Sequence, residues 1–505
     1  MDRYSLETKA WLDLRFDPQV VAAVGHAYHP YQPIDGVPVG GWATEQLLMS
    51  NRWARLLTCL RELGAESFLD VGGAEGMTAE LVRQTVTRDV WTIDLSTSAT
   101  ERAIETFGLP ALASEAHRLP FADDSIDVVY CGEVIEHLAN PVETLLELGR
   151  VARLAVIVST EEGVLTEEER REELDERRLD SHMDRTILCP GDFALAFPGW
   201  SLSVSQQFTA LPESLPDTAG GLVELLERLG ASGDGDRPEH AIGLFVVAAQ
   251  GVEAPSGRSD HGACEDAVGF ATDPRARNRP GDPPTGHALL CPLCGSALPD
   301  DLSCTACAFD GRVRGDAREL VHRDLEDGSH DLAAWARRAG VEGEVDLERL
   351  SALADLLDLP DQPTHRDPSL PLRSDAGWWG SETCALEELP AGGFELRSTG
   401  EDPAIQLPNL WIPLESFTRV LVRFELVESE AEVETAQVFF RTLHRPLFWE
   451  AASTTVEVRR GAGEVELAFA LPERGLFGEG DVLTQLRFDP THHGSLARVH
   501  SIVLD

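Results

Sequence analysis

The sequence has few positive charges. Lys and Arg number 42 against 87 Asp and Glu among 505 residues, which gives a formal net charge of −45, and Lys9 is the only lysine. A protein that binds nucleic acid needs a basic face for the phosphates, so this excess of acidic residues argues against nucleic acid as a partner. Salt screens a dense carboxylate surface, so the composition favours a halophilic protein. A GC-rich coding sequence with a solvated surface is the alternative.

Long apolar runs are also missing. The best of them, Leu154 to Val158 and Ile242 to Ala249, fall far short of the about 20 residues that cross a bilayer. The first residues, MDRYSLETKAWLDL, lack the basic and then apolar pattern of a signal peptide. The sequence therefore predicts a cytoplasmic protein without a transmembrane segment.

Cysteine is scarce outside one short segment. Four of the nine cysteines form two CxxC pairs in CPLCGSALPDDLSCTAC, residues 291–307, with nine residues between the pairs. In a reducing compartment this spacing indicates a metal more than disulfides, and four thiolates satisfy tetrahedral Zn²⁺. The segment resembles a zinc ribbon, and a redox pair or an iron site is the alternative. The predicted ligands of a structural zinc ion are Cys291, Cys294, Cys304 and Cys307.

Two kinds of hydrophobic pattern divide the chain. Up to about residue 250, β-like runs alternate with helical stretches, which is typical of a parallel sheet covered by helices. From about residue 375 the apolar residues recur with a period of two, as in TRVLVRFELV, which indicates an antiparallel β-sandwich. We predict an α/β Rossmann-like domain (1–250), a flexible linker (251–288), a zinc ribbon (289–315), a helical segment and joint (316–374) and a β-sandwich (375–505).

A glycine-rich turn follows the first β-like run of the α/β domain. In FLDVGGAEG, residues 68–76, this run ends in Asp70, and glycine lets the backbone approach a ligand closely. The next β-like run ends in Asp94, 24 residues later, where a carboxylate can accept hydrogen bonds from both hydroxyls of a ribose. The order of turn, acidic strand end and further strand predicts a ligand site at this turn.

Several motifs resemble the class I S-adenosylmethionine-dependent methyltransferases of the small-molecule group, of the methyltransferase type 11-like kind. LDVGGAEG is similar to the family's LDVGCGTG, EAHRLPFADDSIDVV to DxxxLPFxDxxFDVV, and EVIEHLANP to EVLEHVxDP. The resemblance covers roughly residues 40–250 and implies S-adenosyl-L-methionine as the methyl donor. The chain departs from the family pattern at Ala74, Glu75 and Glu115. The charge of Glu75 would weaken binding of the donor's carboxylate unless the side chain points away.

The resemblance implies a role for each matching residue. Asp70, Gly72, Gly73 and Gly76 would line the methionine and ribose of the donor, Asp94 would hold the ribose, Glu115 and Ala116 would flank the adenine, and Cys131 would lie near the sulfonium. A hydroxyl acceptor also has to lose a proton, for which histidine is suited near neutral pH. We predict His137 or His182 as this base. The alternatives are a capping or packing role for His137 and a solvated loop position for His182.

The C-terminal part of the chain carries another resemblance. GGFELRSTGEDPAIQLP, RVLVRFELV and LRFDPTHHGSLARVHSIVL look like the galactose-binding-like jelly-roll module of bacterial surface-polysaccharide enzymes. Such a module can hold sugars against aromatic rings. Trp378, Trp379 and Trp411 are the candidates for this stacking, and packing in the core or at the domain joint is the alternative.

These patterns lead to three hypotheses of function. The first is O-methylation of a glycan or glycolipid precursor, the second is methylation of a soluble small molecule, and the third is a non-catalytic binding protein with the donor fold. Zinc ribbons also occur in RNA-modifying methylases, so an RNA acceptor stays open, although the acidic composition argues against it. The expected partner is a saccharide or small-molecule acceptor. Peripheral association with glycan-assembly enzymes stays open, and the sequence does not indicate an oligomeric state.

Overall fold

The chain folds into two compact units. The first contains Met1–Ser5 and Leu12–Leu359, and the second contains Leu6–Trp11 and Pro360–Asp505. The computed structural model describes residues 3–16, 42–160, 166, 168–172, 174, 186–208, 218–231, 241–272, 288–307, 309–321, 332–339, 343, 345–357, 364–373, 376–381, 384–398, 403–407, 409–429, 431–445, 448, 450–472, 477, 480–491 and 494–505. Within these ranges no helix combines the length and the apolar character needed to cross a membrane.

A sheet of nine described strands, sheet I, forms the centre of the first unit. Its strands are β1 (Ser67–Val71), β2 (Asp89–Asp94), β3 (Ala111–Ser114), β4 (Ile126–Gly132), β5 (Ala152–Thr160), β6 (Ser201–Phe208), β7 (Ala241–Ala249), β8 (Arg312–Arg314) and β9 (Ala317–Leu320). Their order is β6-β7-β5-β4-β1-β2-β3-β9-β8. Strands β7 and β8 run against the others. The strand order reverses between β1 and β4, and ligands bind at such a switch point, beyond the carboxyl ends of the strands.

Helices cover both faces of sheet I. Helix α1 (Arg3–Arg15) is divided between the units, with Leu6–Trp11 in the second. The described helices that lie wholly in the first unit are α2 (Trp42–Leu63), α3 (Met77–Thr85), α4 (Thr97–Phe107), α5 (Pro141–Val151), α6 (Pro190–Ala196), α7 (Ala219–Ala231), α8 (His261–Thr272), α9 (Leu332–Arg338) and α10 (Leu347–Leu357). One core, which contains Phe68 and Phe245, lies under α2, α3, α7 and α8. Another, which contains Phe121 and Phe193, lies under α5 and α6. The predicted α/β Rossmann-like domain is confirmed.

Part of the predicted flexible linker, residues 251–288, is a packed helix. Asp260 Oδ1 accepts a hydrogen bond from Ala263 N at 2.7 Å at the start of α8, and Arg61 of α2 pairs with Asp266. The side chain of Phe270 is buried in the core beneath these helices. The prediction was wrong here because HGACEDAVGFAT has two glycines and a weak apolar stripe, so its helix is stabilised by tertiary packing rather than by propensity. Residues 273–287 lie outside the described residues.

The cysteine-rich segment is attached to the edge of sheet I. Strand β9 follows it and pairs in parallel with β3, with Ala113 opposite Glu319. The side chains of Leu302, Phe309 and Leu320 are buried in the same core as Phe121. The stretch predicted as a separate ribbon and joint therefore shares the hydrophobic core of the first unit, and β9 covers an edge that β3 would otherwise expose.

Two antiparallel sheets form the second unit. Its strands are β10 (Ser369–Leu370), β11 (Trp379–Gly380), β12 (Cys384–Glu388), β13 (Phe394–Ser398), β14 (Ile405–Leu407), β15 (Ile412–Pro413), β16 (Arg419–Ser429), β17 (Val433–Thr442), β18 (Ser453–Arg459), β19 (Glu464–Ala470), β20 (Val482–Asp489) and β21 (Ser495–Leu504). Sheet II has the order β12-β13-β21-β16-β19, with β10 on β21, and sheet III has the order β11-β14-β20-β17-β18, with β15 on β20.

Sheets II and III enclose one hydrophobic core. Phe424 of sheet II and Phe488 of sheet III meet there with ring centroids 5.6 Å apart. Core residues alternate with outward-facing residues along β16, as expected for a strand with one face buried, whereas on β17 the outward-facing Gln437 and Phe439 are buried as well. The predicted antiparallel sheets are confirmed, while the jelly-roll topology stays a prediction.

Candidate functional site

The glycine-rich turn packs tightly against the end of β1. Gly72 and Gly76 have φ angles of 74° and 83°, in the left-handed region. A Cβ atom at Gly73 would lie 2.2 Å from Thr92 Oγ1 and 2.6 Å from Asp70 Oδ2. The turn therefore needs glycine both for its backbone conformation and for close packing against β1 and β2.

Ala74 takes the place of a glycine in this turn. Its φ is 48°, and the left-handed region costs an L-residue about 1–2 kcal/mol. Asp94, at the end of β2, holds this conformation because its Oδ2 accepts a hydrogen bond from Ala74 N at 2.9 Å. Its Oδ1 accepts another from Ser96 N at 2.8 Å. Asp94, the residue predicted to bind the ribose, thus also fixes the glycine-rich turn to the start of α4.

Asp70 lies at the end of β1 and is only 2% exposed. Burial raises the pKa of Asp70 to about 7, and the charge of Asp94 adds to the effect. Among the described residues, no group donates a hydrogen bond to Asp70 Oδ2. A positively charged ligand group next to this carboxylate would favour its ionised form. Asp70 is therefore suited to a cationic part of a ligand.

Glu75 does not leave an unbalanced charge at the turn. Its carboxylate is fully buried and pairs with Arg102 Nε of α4. Arg102 neutralises it, so the repulsion expected from this departure from the family pattern is removed.

Glu115 and Ala116 follow β3 at the same edge of sheet I as Asp70. Glu115 is buried, and its Oε1 lies 3.5 Å from His117 Nε2. Arg118 N donates to Glu115 O at 3.1 Å and closes a turn at this point. The structure thus brings the predicted adenine-flanking residues to the edge that carries the glycine-rich turn.

β4 carries Cys131 and the EVIEHL motif to this edge. Cys131 is completely buried, and burial, followed by the charges of Glu136 and Asp70, raises the pKa of its thiol well above the ordinary value. The thiol therefore stays protonated near neutral pH and is no nucleophile. His137 ends a short 3₁₀ turn, half-buried, after the strand. His182, the other predicted base, lies outside the described residues.

Two charged residues of this edge were missed by sequence reasoning. Glu133 has a φ of 54°, its N–H donates to Ser159 O at 2.8 Å, and its carboxylate lies 2.9 Å from Arg52 Nη1 of α2. Backbone strain of this kind costs about 1–3 kcal/mol and clusters at functional sites. Glu133 stands within the EVIEHL motif and could have been found there. Arg52 belongs to a helix that carries no motif.

The two ends of α1, which belong to the first unit, contact the same edge. Tyr4 Oη donates to His137 O at 3.1 Å, and Asp13 Oδ1 accepts hydrogen bonds from Ser96 Oγ at 2.9 Å and Ser98 N at 3.1 Å. Tyr4 and Asp13 are nine positions apart, which is about 13 Å along a helix. α1 thus reaches from the turn after β4 to the start of α4. No sequence motif marks it.

The four CxxC cysteines form one cluster, with their sulfur atoms within 4.8 Å of one another. Cys291 Sγ lies 3.4 Å from Cys307 Sγ, and Cys294 Sγ lies 3.5 Å from Cys304 Sγ. A disulfide has an S–S distance of about 2.05 Å. Four sulfurs at 2.3 Å from a tetrahedral metal are about 3.8 Å apart. The predicted ligand set is therefore assembled with spacings that suit a metal ion.

Comparisons with known proteins bear on the first unit. Residues 69–157, from β1 to β5, match a family model described as a methyltransferase domain. Similar solved structures are a methyltransferase in complex with the Haloferax volcanii Trm112 methyltransferase activator (20% identity, 43% of this chain and 96% of that one, TM-score 0.29), magnesium protoporphyrin IX methyltransferase from Synechocystis PCC 6803 with bound SAH (12%, 47% and 99%, 0.31) and a SAM-dependent methyltransferase from Thermotoga maritima (17%, 41% and 93%, 0.29). No curated protein matches the chain.

The matched range contains the residues that the geometry brings together. It includes the glycine-rich turn, Asp94 at the end of β2, Glu115 after β3 and the EVIEHL motif after β4. These segments meet at the carboxyl edge of sheet I, where the strand order reverses. The chain is accordingly an enzyme that carries an S-adenosylmethionine-dependent methyltransferase domain.

Proposed function

We propose that the chain transfers the methyl group of S-adenosyl-L-methionine to a hydroxyl group of a glycan or glycolipid precursor. Asp70, Gly72, Gly73, Gly76, Asp94, Glu115, Ala116 and Cys131 would bind the donor. The buried carboxylate of Asp70 supports this placement because the donor carries positive charge and the Oδ2 of Asp70 has an open acceptor position. The two aspartates end neighbouring strands, so they would hold adjacent parts of one ligand.

Bound donor supplies a methyl carbon that its sulfonium already activates, so the protein mainly aligns the acceptor. His137 lies at the same edge as the glycine-rich turn, and its imidazole would take the proton from the acceptor hydroxyl. Tyr4 holds the backbone carbonyl of His137 and thereby limits the movement of this turn. His182 stays the second candidate for the base.

The observation that carries the saccharide proposal is the outward face of sheet III. The strand register places Gln406 between Trp379 and Arg487, and it places Arg487 between Gln406 and Phe439. We call these four residues the sheet III row. Because neighbouring strands are about 4.8 Å apart, the row spans about 14 Å. Gln406 and Phe439 are buried, each 7% exposed, so the half-buried ring of Trp379 is the one that can stack on a sugar ring, and the guanidinium of Arg487, 18% exposed, can bond its hydroxyl groups.

Further polar groups hold the sheet III row in place. Gln485 Nε2 donates to Gln406 Oε1 at 2.9 Å, and Arg441 Nη1 donates to Gln485 Oε1 at 3.0 Å. Arg487 lies 5.2 Å from the ring centroid of Phe439, and its Nε donates to Asp489 Oδ1 at 2.7 Å. Side chains that are fixed beforehand lose little entropy when a ligand binds. The pairing of Arg487 with Asp489 balances charge, which favours a neutral saccharide.

The outward face of sheet II provides a comparison within the same unit. There Arg423 pairs with Glu464 at 2.9 Å, and both side chains are about half exposed. Arg498 pairs with Glu395, also at 2.9 Å. Exposed pairs of this kind are an ordinary solvated surface. The outward face of sheet III instead carries amides and aromatic rings, and the need for a charged, solvated surface does not explain them.

The three tryptophans predicted to stack on sugars have different environments. Trp378 is buried in the core of the second unit, and its Nε1 donates to Pro371 O at 2.9 Å, so it is a packing residue. Trp379 belongs to the sheet III row and is half-buried, as is Trp411. Trp379 is therefore the candidate that we retain.

Three further properties belong to this proposal. Zinc would occupy the cysteine cluster, because four thiolates at these spacings suit Zn²⁺ and fill its shell, which makes the site structural. The protein would be cytoplasmic and adapted to high salt, as its composition indicates. Its partners would be the saccharide acceptor and, peripherally, the enzymes that assemble it.

The test is methyl transfer from labelled donor to oligosaccharides of the host's surface polysaccharide and to the matching monosaccharides. Trp379→Ala should lower the rate on subsaturating long chains about tenfold, which is a loss of about 1.4 kcal/mol, and leave monosaccharide rates unchanged. Arg423→Ala, on the outward face of sheet II, is the matched control and should behave as wild type. Equal rates for Trp379→Ala and wild type, or methylation of a non-sugar metabolite alone, would reject the saccharide acceptor.

A further inference from the structure

We propose that Trp335 and Arg338 of α9 are positioning residues of the donor site, because they clamp His117 and thereby hold Glu115 and Ala116 against the adenine. The inference rests on the proposed donor site at the carboxyl edge of sheet I. It assigns a role to the segment that follows the cysteine cluster, which lies outside residues 69–157 matched by the family model.

Arg338 bonds directly to the loop after β3. Its Nη2 donates to His117 O at 2.7 Å and also lies 3.3 Å from Glu147 Oε2 of α5. A hydrogen bond with a charged donor is stronger than a neutral one. Arg338 therefore ties the backbone of the loop to two helices at once.

Trp335 holds the side chain of the same histidine. The centroid of the Trp335 ring lies 5.3 Å from the centroid of the His117 ring. The guanidinium carbon of Arg338 lies 3.5 Å from the centroid of the same Trp335 ring. Trp335 is 8% exposed and His117 is 4% exposed, so this stack is closed to water. The clamp thus fixes both the carbonyl and the ring of one residue.

His117 passes the constraint to the donor site. Its Nε2 lies 3.5 Å from Oε1 of Glu115, and both side chains are buried. The chain between them contains Ala116, the second residue predicted to flank the adenine. A shift of His117 would therefore move both predicted adenine contacts.

The rest of the loop is held by other elements. Leu119 N donates to Glu147 Oε1 at 2.8 Å, and Arg150 Nη2 donates to Leu119 O at 3.0 Å. Leu290 N, at the start of the cysteine-rich segment, donates to Pro120 O at 3.0 Å. Residues 119 and 120 are thus fixed by α5 and by the cysteine-rich segment, and the α9 clamp acts at residue 117, next to the predicted adenine contacts.

Calorimetric titration of the full chain with S-adenosylhomocysteine tests the clamp. We expect Arg338→Ala and Trp335→Ala to raise the Kd about tenfold while about one ligand still binds per chain, since an ordered loop has to be rebuilt on binding. Trp335→Phe keeps a ring against His117 and should restore most of the affinity. Arg337→Ala, an exposed residue of the same helix, is the matched control and should keep the wild-type Kd.

The binding stoichiometry separates positioning from folding. A role in stability alone would lower the number of binding sites and leave the Kd of the remaining protein unchanged, and this result would overturn the proposal. If the alanine variants do not fold, the Kd of Arg338→Gln tests the clamp, because this variant keeps most of the bulk of the side chain and loses its charge. A wild-type Kd for Arg338→Gln would also overturn the proposal. Absence of binding by the wild type would instead reject the donor site itself.

Discussion

At the scale of the residue, the proposed donor site concentrates buried carboxylates where parallel strands end. Asp70 has a folded-state pKa of about 7 against an ordinary value of 3.8. Because the folded protein holds this proton more tightly than the unfolded chain does, stability falls as pH rises from about 4 to 7. Asp70 is therefore unfavourable for folding in its ionised form, which is consistent with a role in binding.

The pH dependence of donor binding follows from Asp70. A cationic donor favours the ionised carboxylate, so the Kd for S-adenosylmethionine should rise about tenfold for each pH unit below about 7. Asp70→Asn should bind weakly with a flat profile between pH 5 and 7, and above pH 7 it should melt at a higher temperature than wild type. Calorimetry across this pH range measures the first effect and thermal unfolding the second. A flat profile for the wild type would contradict this role of Asp70.

At the scale of the element, β9 joins the cysteine-rich segment to the predicted adenine side. It is only four residues long, and its pairing with β3 places Leu320 in the same core as Phe121. So small a segment cannot form a hydrophobic core of its own. We therefore expect its order to depend on sheet I together with the metal proposed for the cysteine cluster.

Metal removal should consequently lower the stability of the whole first unit. Treatment of the full chain with a chelator, or the change of Cys291 and Cys304 to serine, should lower the melting temperature by about 5 °C or more and raise the Kd for S-adenosylhomocysteine. Zinc measured by atomic absorption should fall from one per chain to none. Cys189→Ser, outside the cluster, is the control and should leave the zinc content and the Kd unchanged. An unchanged melting temperature after complete metal loss would show that the cluster does not support this edge.

At the scale of the whole molecule, the excess of acidic residues is the dominant feature. The formal charge of −45 is carried by both units, and arginine supplies the buried partners such as Arg150, which pairs with Glu147 at 2.8 Å. The unpaired carboxylates repel one another over a Debye length of about 10 Å at 0.1 M salt, which falls to about 3 Å at 1 M. The net negative charge therefore destabilises the folded protein at low salt.

Salt should stabilise the full chain. The melting temperature should rise between about 0.1 M and 1 M KCl as the repulsion is screened. The same series with sucrose, which is uncharged, controls for solute exclusion from the protein surface. A melting temperature that is flat or falls with KCl would exclude adaptation to high salt.

Local patterns determined much of the fold and part of the site. The alternation of β-like and helical runs predicted sheet I, and a period of two predicted sheets II and III, because each period reflects which side of an element meets the core. Gly72, Gly76 and the cysteine pairs were recognisable because a positive φ and a metal each require one kind of residue at a fixed spacing. The helix in residues 261–272 escaped prediction because its stability comes from packing.

The tertiary structure alone decided which distant residues complete the site. His117 and Arg338 are 221 residues apart in the chain, and Tyr4 and His137 are 133 apart. Neither Arg338 nor Tyr4 belongs to a motif, since an arginine on a helix or a tyrosine near a terminus fits many environments. Motifs record what the local backbone needs, whereas contacts across the sheet depend on how whole elements pack. The glycine-rich turn was therefore readable from sequence, and the residues around it became apparent only in the folded protein.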